Sequence, residues 1–156
     1  MKTKPQALLR AAEIAAMPER QHVHQFNANA IRHTRTLGTL AGLEHIGLHL
    51  IRLAPGADST EYHSHDNDEE FLYVIAGRGI AILDDEEHDI GPGDIMAFPR
   101  RSIPHAMRNP YDEDLVYLMG GERNESDVVH YPRLRRSMVK TAGRRYYTEW
   151  DDQHDL

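Results

Sequence analysis

The chain has 156 residues, 40% of them hydrophobic and 28% charged, which suits one soluble domain with its own core. It contains no cysteine, so disulfides, a thiolate nucleophile and Cys-ligated zinc or iron–sulfur centres are excluded. No run approaches the roughly 18 uncharged apolar residues of a membrane span. With 18 Lys and Arg against 25 Asp and Glu, the formal charge is −7, which works against a nucleic-acid partner. Eleven histidines stand out and point to metal ligation or proton transfer.

Gln6 to Met17 (QALLRAAEIAAM) is rich in Ala and Leu and predicts a short N-terminal helix, stopped by Pro18. Two lysines precede it, but Arg10 and Glu13 interrupt the apolar stretch and no small-residue cleavage site stands out. The segment therefore reads as a mature helix and the protein as cytoplasmic. Residues 18–35 are polar and mixed, and read as an arm or loop.

From Thr36 onward, short β-branched, aromatic and apolar runs alternate with Gly, Pro, Asp and Asn. The candidate strands are 46–53, 70–76, 79–83, 94–98, 104–109 and 114–119. No helical pattern separates them, which argues for an all-β sandwich or barrel and against a parallel α/β sheet. The acidic run Asp84, Asp85, Glu86, Glu87 and Asp89 reads as a solvated hairpin tip. The tail carries Arg133, Arg135, Arg136, Lys140, Arg144 and Arg145, read as solvated charge or an arm packing on an acidic partner subunit. The expected organisation is a helix and arm over 1–37, a barrel over 38–120 and a C-terminal basic arm over 121–156.

The chemistry concentrates at His63-Ser64-His65. Residues two apart on an extended chain point to the same side, so one strand can offer two imidazoles to one point. Asp66-Asn67-Asp68 then forms a turn, and a strand starts at Glu70. Glu70 shares a face with Leu72, Val74 and Ala76, which suits a narrow interior; Glu69 is the fallback. His105 follows in a distant strand, and two separated strands of a closed or sandwiched sheet can aim at one interior point. Three imidazoles and a carboxylate suit Mn, Fe, Ni, Co or Zn, and an octahedral ion so held keeps two positions for a substrate or dioxygen.

These residues resemble the two motifs of the cupin family. The first is PGADSTEYHSHDNDEEFLYVIAG, with Gly56, His63, His65, Glu70 and Gly77; four residues separate His65 from Glu70 and six separate Glu70 from Gly77, as in the family. The second is GDIMAFPRRSIPHAMRN, with Gly93, Pro99, His105 and Asn109. Two departures occur. Gly56 lies one residue farther from the histidine pair than usual, and Pro99-Arg100-Arg101 replaces the usual Pro-x-Gly with one extra residue before His105. Both fall in turns, where an extra residue is tolerated. The fifteen residues 78–92 between the motifs are few, as in compact single-domain bacterial cupins. The resemblance covers about 38–120 and implies a double-stranded β-helix, or jelly roll, with one divalent transition metal inside, held by His63, His65, Glu70 and His105. It also implies a homodimer.

Fold does not fix reaction. The expected function is a metal-dependent isomerase or epimerase resembling the sugar-phosphate isomerase type, acting on a small sugar, sugar phosphate or related metabolite. An iron-dependent dioxygenase and a non-catalytic small-ligand sensor are the alternatives. No nucleic-acid or membrane partner is expected. Arg100, Arg101 and Arg108 flank His105 and are candidates for binding a substrate phosphate or carboxylate, with pairing to acidic loops as the competing reading. His49 and Glu69 are the catalytic candidates, although a hydrogen-bonded structural histidine is the default for His49. Tyr62, Tyr73 and Tyr117 read as packing residues, and His22 and His24, with no glutamate at the family spacing, as surface or arm residues.

Overall fold

The structure, a computed structural model, describes residues 5–152. Its strands are β1 (Arg20–His24), β2 (Asn27–Thr36), β3 (Ile46–Leu53), β4 (Ser64–His65), β5 (Glu70–Ala76), β6 (Gly79–Leu83) and β7 (Glu86–Ile90). They continue with β8 (Ile95–Phe98), β9 (His105–Arg108), β10 (Leu115–Glu122), β11 (Asp127–Tyr131), β12 (Arg136–Thr141) and β13 (Arg144–Glu149). Two short helices, α1 (Ala11–Ala16) and α2 (Leu37–Ala41), lie on the N-terminal side.

Three sheets enclose the interior, in strand orders β1-β2-β3-β10-β5-β8, β13-β12-β11-β4 and β7-β6-β9. Every pairing between these strands is antiparallel. The fold is therefore the all-β jelly roll with a short N-terminal helix that the sequence implied. Alternation along the strands builds the core: Ile51 and Leu53 from β3, Leu72 and Val74 from β5, and Leu115 and Tyr117 from β10 are buried, while Tyr73 and Ile75 point outward. Tyr117 stands opposite Ile51 on one side and Val74 on the other, so it spans the middle of the sheet. Tyr62 is buried as well, and its hydroxyl accepts the Asp85 N–H at 2.8 Å.

Four expectations need correction. The helix is shorter than Gln6–Met17: the Gln6 N–H is committed to the Leu40 carbonyl at 3.0 Å, and α1 starts only after Arg10, whose N–H is accepted by Glu13. The supposed arm at 18–35 contains the hairpin β1–β2, with β2 paired to β3. Its apolar residues are few because it covers the mouth of the barrel rather than filling the core. The acidic run is the solvated hairpin tip expected at Asp84 and Asp85, both at positive φ, but Glu86, Glu87 and Asp89 continue as the exposed strand β7 rather than as part of the tip. The basic tail is not free charge. Residues 127–149 form three strands, and Arg133, Arg136 and Lys140 pair with Asp85, Glu149 and Asp68 of the same chain.

Candidate metal centre

Backbone pairing brings the histidines together. His63 and His105 form an antiparallel bridge, with His63 N–H to the His105 carbonyl at 3.1 Å and His105 N–H to the His63 carbonyl at 2.8 Å. Residues directly opposite share a face, so both rings point inward, with centroids 4.7 Å apart. The His65 ring lies 4.9 Å from that of His63. Glu70 starts β5 opposite Phe98 of β8, and Phe98 stacks on His105 with centroids 3.5 Å apart and planes 8° apart. Glu70 Oε2 thus comes to 3.1 Å from His105 Nε2. Glu69, the fallback, is exposed on the opposite face.

Each imidazole has an acceptor at Nδ1. His63 Nδ1–H donates to the Glu61 carbonyl at 2.9 Å, and His105 Nδ1–H donates to the Ile103 carbonyl at 3.3 Å. His65 Nδ1–H donates to Asp127 Oδ2 at 2.7 Å. A carbonyl or carboxylate oxygen can only accept, so in a neutral His63 or His65 the proton sits on Nδ1 and the Nε2 lone pair is left free, whereas His105 Nε2 faces the Glu70 carboxylate and a proton or a cation must stand between them. Burial, then the neighbouring His105 and His65, push His63 down to about 3. Burial raises the Glu70 carboxyl, but the His105 hydrogen bond and the three imidazoles outweigh it and hold the group at about 2. A neutral His63 and an ionised Glu70 are acceptors without donors between them. That is the protonation pattern a cation requires.

Among the described residues, two groups of three place ligand atoms within 4.8 Å of one another: His63, Glu70, His105 and His65, Asp68, Asp127. Only the first keeps acceptors free. In the second, Asp127 also accepts the N–H groups of Asn67 and Asp68 at 2.9 and 3.3 Å, and Asp68 accepts Asn124 N–H at 3.1 Å and Lys140 Nζ–H at 2.7 Å. Those carboxylates are saturated. Burial raises Asp127, but the bonds from His65, Asn67 and Asp68 bring it to about 2. It is therefore an ionised acceptor that orients His65. His65 itself is raised, the Asp127 bond and the Glu70 charge overcoming burial.

The imidazoles and Glu70 line a cavity of about 430 Å³. Leu72, Met96, Phe98, Met107 and Tyr117 form its apolar wall, and burial raises the Tyr117 phenol. Besides Ser59 and Thr60 of the first motif, the cavity's other polar residues come from elements the sequence reading missed or placed elsewhere. His22, His24 and Arg32 enter from the β1–β2 hairpin, and Arg145 and Tyr147 from β13. The only sequence signal was the second His-x-His, which carries no information about the pairing that brings it over the barrel. Arg100, Arg101 and Arg108 do not line this cavity. Arg100 donates to Asn67 and Arg108 pairs with Glu87, while Arg101 adopts positive φ in the turn where the family motif carries glycine. His49 and Glu69 line a separate pocket of about 160 Å³ behind Glu70, where His49 Nδ1 is buried without a partner. Burial, then Arg123 and Arg32, lower His49.

An antiparallel jelly roll with inward histidines on two paired segments and a glutamate beside them defines a class, and the comparisons agree. The chain belongs to the cupin superfamily: residues 49–121 match the Cupin domain profile. It is similar to the crystal structure of a candidate sugar phosphate isomerase from Acidithiobacillus ferrooxidans, 38% identical over 96% of both chains with a TM-score of 0.94. A cupin-superfamily sugar phosphate isomerase from Silicibacter pomeroyi is 28% identical over 89% of this chain and 90% of that one, with a TM-score of 0.77. Protein SchB of Streptomyces halstedii is 31% identical over 69% of this chain and 75% of that protein. The chain spans 45% of an uncharacterized protein of Methanocaldococcus jannaschii, to which it is 33% identical over 57 residues.

Proposed function

We propose that the protein is a metal-binding cupin that isomerises or epimerises a small sugar, sugar phosphate or related metabolite, with one divalent transition ion (Mn, Fe, Ni, Co or Zn) held by His63, His65, Glu70 and His105. The observation that carries this reading is the shared orientation of the imidazoles. Each Nδ1 is tied to an outward acceptor, which turns the Nε2 edges inward; His63, Glu70 and His105 offer ligand atoms within 4.8 Å of one another, and an entering cation would replace the proton between His105 Nε2 and the ionised Glu70. Nitrogen and carboxylate donors in this mixture fit those ions. When bound, such an ion supplies Lewis acidity toward a substrate carbonyl. The chain does the rest: Asp127, Glu61 and Ile103 hold the rings in place, and the apolar wall of Leu72, Met96 and Phe98 keeps water from the reacting end.

The names of the two isomerase-type structures support the substrate class. A homodimer belongs to the same reading, and sedimentation velocity decides it. The direct test is elemental analysis of protein purified without added metal, followed by strictly anaerobic incubation with aldose and ketose phosphates in D2O. Deuterium entering the carbon beside the carbonyl is the expected result. Turnover that needs dioxygen and iron would replace the isomerase with an oxygenase. Tight ligand binding without turnover for any metal would make the protein a sensor.

A further inference from the structure

The cavity has a second polar end. Among the described residues Glu70 is the only carboxylate in its lining, while two guanidinium groups, Arg32 and Arg145, reach it, although the whole chain carries −7. Register explains how they meet. Thr34 lies opposite the core residue Ile51, so Thr34 and Arg32, two apart on β2, share the inward face, and His22 lies opposite Arg32 on β1. On the other wall, His65, Val129, Met138 and Tyr147 stand opposite one another across β4, β11, β12 and β13, and Arg145 shares the face of Tyr147.

Arg32 is unusual among the described arginines. Of the five that are half-buried, Arg35, Arg52, Arg108 and Arg136 pair with carboxylates, whereas Arg32 meets only the Met119 sulfur, at 4.0 Å. A half-buried guanidinium without a counter-ion is costly unless something supplies one. His24 adds a donor. Its Nδ1 accepts the Phe26 N–H at 3.2 Å, which leaves the ring proton on Nε2. Burial and Arg32 keep that ring neutral, near 4.

We propose that Arg32 and Arg145, with His24 Nε2–H, form an anion subsite that grips the phosphate group of a phosphate monoester substrate. The inference deepens the function proposed above and rests on it only for the cavity being a substrate site. Two forked cations from separate strands match a dianion with three terminal oxygens, where a carboxylate needs a single fork. Repulsion by Glu70 keeps the dianion at this end, so the remainder of the substrate extends toward the imidazoles.

The test is calorimetric titration of metal-stripped protein with inorganic phosphate at pH 7.5 and low salt. Saturable one-site binding is expected. Arg32→Gln should weaken it at least about tenfold and Arg145→Gln by about three- to tenfold, since each removes a charge-assisted contact. Arg144→Gln, the same charge change on the neighbouring residue outside the cavity lining, should stay within about twofold. Circular dichroism checks each fold. Should Arg32→Gln fail to fold, Arg32→Lys and the exposed Arg145→Gln decide. No saturable phosphate binding, equal weakening by Arg144→Gln, or unchanged affinity in the Arg32 and Arg145 variants would overturn the subsite. Acetate competing as well as phosphate would overturn the phosphate assignment. Metal content, measured separately on untreated protein, tells failure of the metal reading from failure of this one.

Discussion

Replacing Asp127 by Asn tests the orientation of His65 without emptying space. Asp127 is 2% exposed, and its carboxylate accepts from His65 Nδ1 at 2.7 Å and from the Asn67 and Asp68 N–H groups at 2.9 and 3.3 Å. The amide keeps one oxygen for the backbone donors but turns an NH2 toward Nδ1. Two donors cannot face each other, so the His65 proton must move to Nε2, which removes the lone pair from the cavity. Stability should fall by about 2 kcal/mol, the worth of one buried hydrogen bond to a charged group. Metal affinity should fall about 10- to 100-fold, the usual cost of losing the partner that orients a ligating histidine. Urea unfolding gives the first quantity, and calorimetric titration of stripped protein with Ni(II) or Mn(II) gives the second. An Asp127→Asn protein that folds and binds either ion as tightly as the parent would refute the reasoning, because His65 would then not depend on this acceptor.

His63→Ala, His105→Ala and Glu70→Gln should each purify with strongly reduced metal while remaining folded, since the core of Ile51, Leu53, Val74, Leu115 and Tyr117 lies in other side chains; full occupancy by mass spectrometry would disprove the ligand assignment. Two motif glycines should respond differently to alanine. Gly77 has φ +75° and a Cβ there would lie 2.0 Å from the Asp114 carbonyl, so Gly77→Ala should cost about 4 kcal/mol or prevent folding. Gly56 has φ +78° but open space around it, so Gly56→Ala should cost only about 1 kcal/mol of backbone strain; equal losses in urea melts would contradict this. Glu19→Gln should show a pH signature. The Arg52 hydrogen bond, opposed by burial and helped by the charges of Arg52, Arg35 and His33, holds the Glu19 carboxyl below its ordinary value. A depressed folded value means that the stabilisation is present above the unfolded pKa and disappears as pH falls through the folded one. The variant should lose about 1 kcal/mol, or roughly 3 °C in Tm, at pH 7, and the difference should shrink as the pH falls below the ordinary carboxylate range and through the lowered folded value. A gap that does not change with pH down to full acid protonation would show that the charge is not its source.

The β-strands were legible wherever they fill the core. IGLHLIRL, EFLYVIA and GIAIL are dense in apolar residues because their inward positions must be, and their predicted spans coincide with β3, β5 and β6. The histidine pair, Glu70 and His105 were legible for a different reason: an extended segment imposes a two-residue period, and the motif spacing carries across the turns. Glu70 rather than Glu69 follows from the same alternation, since a shift of one residue moves a side chain to the other face.

Long-range pairing decided what remained. The β1–β2 hairpin and β12–β13 contain few apolar residues because they wrap the mouth of the barrel, so composition alone made them an arm and a tail. Asp127 stands 62 residues from His65, and only the ladder of β4 against β11 makes it the acceptor for that ring. Arg32 and Arg145 reach the cavity for the same reason, while the arginines near His105 in sequence turn away from it, Arg100 to Asn67 and Arg108 to Glu87 of β7. Local sequence sets the period of a strand and hence which residues share a face. Which faces meet is set by the closure of the sheets, a property of pairs of segments distant along the chain.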